Sequence, residues 1–180
     1  MKRNIAIAVF IFFSLFACHL PGYATDVTLP KDTPVKVYFS PQGGCTDAII
    51  TEIDRSKTEI LVQAYSFTSA PIAKALVVAH KKGVKVQAIL DKSQRSERYT
   101  SATFLTNAGI PTYIDAKHAI AHNKIMIIDK TTVITGSFNF TKAAEEKNAE
   151  NVLIISSKEL EKIYLDNWQK HRGHSEPYQR

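Results

Sequence analysis

Hydrophobic positions in this chain fall into two kinds of pattern from residue 35 onward. Short runs rich in β-branched and aromatic residues predict strands at 35–39, 59–65, 84–90, 112–115, 124–128, 132–135 and 150–155. Apolar residues at helical spacing predict helices around 48–53 and over 70–82, 93–107 and 158–171. Asp129 and Lys130 separate two strands so closely that a hairpin is the simplest connection between them.

The order of these elements predicts the class of fold. Strands and helices alternate in the first half of the chain, which favours parallel strands joined by right-handed crossovers. In the second half the strands follow one another closely, which favours antiparallel pairing. We therefore expect a single α/β domain over 25–180, with a mixed, largely parallel β-sheet flanked by helices on both faces.

The first 24 residues differ in character from this domain. A basic start, Met1-Lys2-Arg3, precedes an almost wholly apolar run over 5–20, and the small residues Gly22 and Ala24 follow. This arrangement predicts a secretory signal peptide over 1–24, cleaved after Ala24, and hence a periplasmic or secreted protein. A retained membrane anchor is the alternative, although the apolar run is short for a full span.

A further alternative for the leader is a lipoprotein signal. The segment Leu15-Phe16-Ala17-Cys18 resembles a bacterial lipoprotein box, in which Cys18 would carry the lipid. Phe16 is bulky for that box, so lipidation at Cys18 is the second choice, and no stable membrane association is expected without it. Cleavage after Ala24 leaves Cys45 as the lone cysteine, which excludes an internal disulfide.

Composition narrows the classes of function. The chain has 180 residues, of which 44% are hydrophobic and 22% charged, values typical of a globular protein rather than a disordered, collagen-like or coiled-coil chain. Its formal net charge is +6, and loss of Lys2 and Arg3 with the leader lowers it to +4. A basic chain suits a polyanion such as nucleic acid. Six cations form either a nucleic-acid track or an ordinary solvated face: Lys81, Lys82, Lys85, Lys92, Arg95 and Arg98.

Six residues of one short segment carry the candidate chemistry. They follow the pattern HxK-x4-D-x6-GSxN and comprise His122, Lys124, Asp129, Gly136, Ser137 and Asn139. Strand alternation places His122 and Lys124 on one face. A hairpin can then bring Ser137 and Asn139 beside them. An imidazole next to a cation and an amide suits an anionic tetrahedral centre such as a phosphodiester, because these groups neutralise the charge that develops on it.

This motif resembles the signature of the phospholipase D superfamily, and all six positions match. The short chain with one motif is similar to the bacterial Nuc-type endonuclease branch, from about Val35 to the last predicted helix. The resemblance implies a phospholipase D-like fold and a two-step displacement in which a histidine forms a covalent phosphohistidine. A second histidine then protonates the leaving oxygen and activates water. Neither a metal nor another cofactor takes part.

The resemblance also implies roles for the polar residues of the motif. His122 takes the part of the catalytic histidine, as nucleophile. Lys124 and Asn139 bind the phosphate oxygens, and Ser137 supports the pocket around them.

Two further positions of the motif are expected to be structural, and one acid outside it is expected to be catalytic. Asp129 lies at the far end of the hairpin strand, and Gly136 completes the motif. Glu150 matches an acid that, in the Nuc-type branch, hydrogen-bonds the catalytic imidazole. Such a carboxylate would hold Nδ1–H and leave Nε2 free to attack.

The spacing of two histidines raises the question of a metal site. His118 and His122 are four residues apart and would suit a metal on a helix, but the run Ile125–Ile128 predicts a strand instead. We therefore expect no metal site. His80, His171 and His174 are interpreted as surface residues or satisfied core residues.

The sequence thus predicts a metal-independent phosphodiesterase that hydrolyses nucleic acid, DNA or RNA, with little sequence preference. One alternative is a phospholipase D acting on lipid phosphodiesters, for which Phe138 and Phe140 are the candidates for an apolar loop. The other alternative is a catalytically idle nucleic-acid-binding module. Because the chain carries one HxK motif and the mechanism needs two histidines, we expect a homodimer with its active site on the two-fold axis.

Overall fold

The computed structural model describes residues 25–97 and 100–179. The predicted leader and Arg98 lie outside the described residues. In this part of the chain, eight strands form one sheet: β1 Val35–Ser40, β2 Glu59–Ala64, β3 Lys85–Asp91, β4 Thr112–Asp115, β5 Lys124–Ile128, β6 Thr132–Gly136, β7 Glu150–Ser156 and β8 Glu176–Pro177. The accompanying helices are α1 Cys45–Arg55, α2 Ala70–Lys81, α3 Ser101–Asn107, α4 Lys142–Glu146 and α5 Lys158–His174.

The sheet is mixed, as the sequence predicts, with the strand order β1-β7-β6-β5-β2-β3-β4-β8. β3 pairs in parallel with β2 and β4, whereas all the other neighbours are antiparallel. The sheet is therefore less parallel than expected. A tight turn joins β5 to β6, and a longer segment that contains α4 joins β6 to β7, and each of them reverses the chain. β1 is expected among the parallel strands. It is instead the outermost strand on the side of the sheet away from β8, and it pairs with β7.

Helices cover both faces of the sheet, which confirms the layered α/β architecture. α1, α2 and α3 pack on one face, over a core that includes Ile49 and Leu76. α5 packs on the other face, where Trp168 contacts a second cluster that includes Leu61. The indole N–H of Trp168 donates to the backbone carbonyl of Val62 at 3.0 Å. Each large apolar side chain buried in this way contributes roughly 1.5–3 kcal/mol to stability.

Three local elements differ from the sequence predictions. The helix expected over 93–107 is divided into a 3₁₀ turn at Lys92–Arg95 and the shorter α3. Thr100 begins α3 by accepting a hydrogen bond from the N–H of Ala102 at 3.2 Å. α4 and β8 have no counterpart among the predicted elements. β8 exists through its pairing with β4, a contact between distant parts of the chain that local sequence does not encode.

Cys45 is the first residue of α1 and is fully buried. Burial raises the pKa of its thiol, and the neighbouring Glu145 carboxylate raises it further. A buried, protonated thiol is a poor nucleophile, so Cys45 acts as a small apolar core residue.

The motif residues other than Asp129 lie at one end of the strands, here called the motif edge of the sheet. The carboxyl ends of β2, β3, β4 and β6 lie at this edge, together with the first residues of β5 and β7. Residues 116–123, here called the crossing loop, run along the edge from β4, past β3 and β2, to β5. Asp91 accepts a hydrogen bond from the N–H of Ala121 at 2.7 Å. The N–H of Tyr65 donates to the carbonyl of Asn123 at 2.8 Å, so the loop is held just before and after His122.

Candidate active site

His122 and Lys124 meet at the point where the crossing loop enters β5. The ring of His122 lies 4.6 Å from the ring of Tyr65, measured between centroids. The Lys124 ammonium lies 5.2 Å from the centre of the same tyrosine ring. Lys124 Nζ also donates to the carbonyl of His122 at 3.0 Å. Tyr65 therefore brings the two motif side chains together, although His122 itself precedes the strand.

Burial differs sharply between these two side chains. His122 is exposed, whereas Lys124 is 7% exposed. Burial lowers the pKa of the Lys124 ammonium, and the nearby Glu150 carboxylate opposes that change. A cation held in a partly desolvated position interacts strongly with an incoming anion, because water screens it little.

Ser137 joins the end of β6 to β7. Its hydroxyl oxygen accepts hydrogen bonds from the backbone N–H of Asn151 at 3.1 Å and from the Asn151 side-chain amide at 3.2 Å. In return, the carbonyl of Asn151 accepts hydrogen bonds from the N–H groups of Ser137 and Phe138. This reciprocal set holds the segment that leads to Asn139 in one position.

Asn139 lies on the turn that follows, with a side-chain oxygen that is buried and has no hydrogen-bond partner in the part of the chain that the structure describes. Its neighbour Phe140 packs edge-on against Phe67, with ring centroids 5.7 Å apart. The carbonyl of Phe140 also accepts from the N–H groups of Thr68 and Ser69. These contacts fix the Asn139 turn against the loop that follows β2, beside Tyr65.

Gly136 is required by a close approach of two backbones. Its φ is 147°, a conformation that other residues rarely adopt. A Cβ at this position would lie 2.2 Å from the carbonyl oxygen of Asn151. Glycine therefore allows β6 to approach β7 where the motif turn begins.

Asp129 lies at the opposite edge of the sheet, in the turn between β5 and β6. Its carboxylate accepts hydrogen bonds from the N–H groups of Lys57, Thr58 and Glu59 at 2.7–3.1 Å, and from the Thr58 hydroxyl at 2.9 Å. Burial alone would raise the pKa of Asp129, but these hydrogen bonds hold it below its usual value. Positive φ values at Asp129 and Lys130 form the tight hairpin turn that the sequence predicts.

Glu150 begins β7 at the same edge as His122 and Lys124. Its carboxylate accepts a hydrogen bond from the side-chain amide of Asn148 at 3.1 Å. Within the described residues no hydrogen bond joins Glu150 to His122. Its expected role as the partner of the imidazole stays a prediction.

A groove of about 940 Å³ opens beside the motif, between the sheet and α5. Its walls include His122, Lys124 and Gly136 from the sheet edge, and Tyr164 and Asn167 from α5. The groove is open to solvent on one side and has both polar and apolar walls. An extended polar substrate can therefore approach the site along the face that α5 covers.

The cations proposed as a nucleic-acid track are divided between the two edges of the sheet. Lys92 and Arg95 lie at the motif edge, where Lys92 donates to the carbonyl of His118 at 3.1 Å and Arg95 pairs with Glu176 at 2.6 Å. The other three described cations of that set, Lys81, Lys82 and Lys85, lie at the opposite edge. The five described cations thus form no continuous track leading to His122.

A cluster that the sequence analysis missed lies at the start of the crossing loop. Asp115, His118, His171 and His174 each place one ligand atom within 4.8 Å of the others, and together they could hold a metal ion. Burial alone would raise the pKa of Asp115, but contacts with the three imidazoles hold it well below its usual range. The close spacing of His171 and His174 on one helix is the only feature of the sequence that could have indicated this cluster. Their partners, Asp115 and His118, lie more than fifty residues away in the chain.

The geometry at the other end of the loop is suited to phosphoryl transfer. An exposed imidazole lies beside a buried ammonium, and the side-chain amide of Asn139 is held on the adjacent turn. The imidazole can attack phosphorus, the ammonium can neutralise charge on the phosphate oxygens, and the amide N–H groups can donate hydrogen bonds to them. The α/β fold and the geometry of the site together indicate a phosphodiesterase.

Comparison with known proteins agrees with this class. Residues 49–172 match the family described as "Cardiolipin synthase, PLD-like domain". The chain belongs to this family and is a phosphodiesterase of the phospholipase D superfamily.

Relatives in two groups of organisms share this segment. A protein named phospholipase D from Rickettsia felis is 47% identical over 134 residues, which cover 74% of this chain and 67% of the relative. A protein named mitochondrial cardiolipin hydrolase from Mus musculus is 32% identical over 136 residues, which cover 67% of this chain and 61% of the relative. The superfamily assignment therefore rests on sequence as well as on fold.

Two solved structures have the same architecture. The phospholipase D family member Nuc from Salmonella typhimurium is 39% identical, with a TM-score of 0.79, and the match covers 83% of this chain and 100% of that one. NucT from Helicobacter pylori has a TM-score of 0.76 at 24% identity, over 82% of this chain and 100% of that one. The first match confirms the resemblance drawn from the motif, and the second shows the same fold.

Proposed function

We propose that this protein is a metal-independent nuclease that cleaves DNA or RNA through a phosphohistidine intermediate. The observation that carries the proposal is the match to Nuc, which covers the whole of that chain at 39% identity. The motif resembles the Nuc-type endonuclease branch, and the formal charge of +6 favours a polyanionic substrate. Because phosphate contacts do not read bases, we expect little sequence preference.

In the proposed first step, Nε2 of His122 attacks phosphorus. An N–P bond forms as the bond from phosphorus to the leaving oxygen breaks. Lys124 neutralises charge on the non-bridging oxygens, the Asn139 amide N–H donates to them, and both contacts strengthen as charge builds up. Water then attacks the phosphohistidine: a P–O bond forms as the N–P bond breaks, which releases the phosphate ester and restores the imidazole. The proton of the water passes to the group that gave its own proton to the leaving oxygen.

The leaving oxygen needs a proton donor on the side opposite to His122. His118 is the nearest other imidazole along the chain, but it is engaged with Asp115 at 3.0 Å, at the far end of the crossing loop. We propose that His122 of a second copy fills this role, so that a homodimer holds one composite site. A two-fold axis supplies the second motif without a second sequence copy.

An uncovered apolar surface next to the motif supports this dimer. β1 exposes Val35, Val37 and Phe39, which are 46%, 51% and 67% exposed. Phe39 pairs with Asn151, the residue that binds the Ser137 hydroxyl. An apolar strand face left open so close to the site is best covered by a second copy of this chain.

A lipid phosphodiesterase is the second candidate, favoured by the names of the relatives from Rickettsia felis and Mus musculus. The apolar loop that the sequence offered for lipid contact is absent from the described surface, since Phe138 and Phe140 are each 1% exposed and belong to the core. Because these two side chains are not available to a lipid, we rank nucleic acid first. No helix among the described residues is long and apolar enough to span a bilayer.

The proposal also includes export and processing of the leader. Cleavage after Ala24 would release a periplasmic or secreted enzyme, with lipidation at Cys18 as the second choice. Mass spectrometry of the protein recovered from the periplasm tests this directly. A first residue of Thr25 supports cleavage after Ala24, a lipidated Cys18 replaces it with the second choice, and an intact Met1 overturns both.

An assay with parallel substrates tests the function. The chain from Thr25 is incubated in EDTA with plasmid DNA, single-stranded DNA, RNA and phosphatidylcholine vesicles, beside the His122→Ala variant. We expect nicking or degradation of nucleic acid by the wild type and none by the variant. Hydrolysis of lipid alone identifies a phospholipase, and binding of DNA without cleavage identifies an idle module.

A matched pair of surface variants tests the dimer. Phe39→Asp places a charge on the apolar strand face, whereas Phe104→Asp changes an exposed phenylalanine on α3. Light scattering should show a dimer for the wild type and for Phe104→Asp, and a monomer with little activity for Phe39→Asp. A fully active monomer overturns the shared site.

A further inference from the structure

A second cluster of histidines lies at the start of the crossing loop, separate from the motif. Asp115 is fully buried at the end of β4, and His118 follows it on the loop. His171 and His174 project from the last turn of α5. The three imidazole rings lie 4.8–5.4 Å apart, measured between centroids. Two parts of the chain, the crossing loop and α5, therefore direct ring nitrogens at a carboxylate that β4 supplies.

The distances within the cluster are those of a small coordination shell. Asp115 Oδ2 lies 2.6 Å from His171 Nδ1 and 3.0 Å from His118 Nδ1. Asp115 Oδ1 lies 3.3 Å from His174 Nε2. Ligands at tetrahedral angles and about 2.0–2.1 Å from a zinc ion lie roughly 3.3 Å apart. Two of the contacts to Asp115 already approach this spacing and the third needs a small opening, while the ligand atoms that lie farthest apart, up to 4.8 Å, must close in around the ion.

Hydrogen bonding alone leaves one of these atoms without a partner. His174 Nε2 is buried and makes no hydrogen bond within the described residues, although it lies close to Asp115 Oδ1. A buried ring nitrogen without a partner costs free energy. A cation between the four side chains would satisfy this nitrogen and would also attract the Asp115 carboxylate.

The ligand types select a class of metal. Three imidazoles and one carboxylate form a nitrogen-rich set that suits zinc better than magnesium or calcium, which prefer all-oxygen shells. Four protein ligands also fill a tetrahedral shell, so no position remains for substrate or water. Closed sites of this kind are structural rather than catalytic.

We propose that Asp115, His118, His171 and His174 bind one zinc ion that ties the start of the crossing loop to the end of α5. The same loop carries His122 at its other end. Asp91 and Tyr65 already hold the end of the loop beside His122, through the N–H of Ala121 and the carbonyl of Asn123. Zinc would therefore add a further fixed point at the start of the loop, and the phosphodiester chemistry itself would still use no metal.

Metal uptake can be measured without any assay of activity. The chain from Thr25 is stripped with a chelator, dialysed and titrated with Zn²⁺ by calorimetry, and metal content is measured after gel filtration. We expect one zinc per chain. Binding of Co²⁺ at the same site should produce the intense visible absorption of a tetrahedral ion. Hydrogen exchange across 116–123 should slow when zinc is bound.

Variants identify the ligands. His174→Ala and His118→Ala should each weaken zinc binding by at least about 100-fold, because each removes a direct ligand. His80→Ala is the matched control, since His80 lies on α2, outside the cluster, and should leave affinity unchanged. His118 is 43% exposed, so its replacement tests the site even if a variant on α5 fails to fold.

Several outcomes overturn the proposal. Uptake of well under one zinc per chain would show that the cluster is an ordinary set of hydrogen-bonded histidines. Equal affinities for the wild type and His118→Ala would place the metal elsewhere. Neither outcome would touch the proposed nuclease activity, because the uptake experiment involves no substrate.

Discussion

The crossing loop joins two clusters of polar side chains that the chain builds in different ways. At its end, His122 and Lys124 belong to one contiguous motif and meet on the ring of Tyr65. At its start, Asp115 and His118 meet two histidines from the last turn of α5. The first cluster leaves an imidazole exposed to substrate, whereas the second surrounds a buried carboxylate. We thus propose that histidine serves reactivity in one place and cohesion in the other.

The largest expected effect comes from removing the exposed imidazole. His122→Ala should reduce turnover by at least about 10⁴-fold, because His122 is the only imidazole among the described residues that line the groove. Circular dichroism should show an intact fold, since the side chain is exposed. Near-normal hydrolysis by the folded variant would contradict the assignment. Steady-state rates on a defined oligonucleotide provide the measurement.

Removal of the anion-binding groups should have the next largest effect. Lys124→Ala and Asn139→Ala should each lower the single-turnover rate by about 10²–10³-fold, because their contacts strengthen in the transition state. Affinity for long DNA should change much less. Lys85→Ala, at the opposite edge of the sheet, is the control. Loss of affinity with an unchanged single-turnover rate would show that these residues only tether the substrate.

A smaller effect on turnover is expected from the second cluster. His174→Ala should lower hydrolysis by no more than about tenfold, because it acts through the position of the crossing loop. Wild-type activity should likewise persist in EDTA. If chelation abolishes hydrolysis and added Zn²⁺ or Mg²⁺ restores it, a metal takes part in the chemistry and the separation of the two clusters fails.

No effect on turnover is expected from a change at Asp129, because this residue lies far from both clusters. Asp129→Asn keeps a side chain that tolerates the positive φ but loses the charge that accepts four hydrogen bonds. The free energy of unfolding at neutral pH should fall by roughly 1.5–3 kcal/mol, the value for hydrogen bonds to a charged group. Urea unfolding measures this loss.

The difference in unfolding free energy between the wild type and Asp129→Asn should depend on pH, because the pKa of Asp129 is lowered in the folded protein. The carboxylate stabilises the folded state fully above its unfolded value of about 3.9. This stability is lost as pH falls through the lower folded value, because the group must then be protonated. The gap between the wild type and Asp129→Asn should therefore narrow in acid. A gap that widens in acid would contradict the hydrogen-bonding role.

Much of the fold could be predicted because its elements are local. The strand over 124–128 and the hairpin at Asp129 follow from short-range pattern and turn chemistry, and both are confirmed. The helix expected over 93–107 was partly wrong, because Thr100 starts a new helix where a single one seemed continuous. The sheet is less parallel than expected because β1 pairs with β7, more than a hundred residues away.

The sequence by itself determined the residues of the motif and the superfamily, because these residues lie in one segment of the chain at fixed spacing. The tertiary structure alone decided that Tyr65 would unite His122 with Lys124, and that Phe138 and Phe140 would enter the core. It also decided that two histidines of α5 would face Asp115. Such contacts depend on how the sheet orders its strands, and strand order is set by long-range packing that no local pattern records.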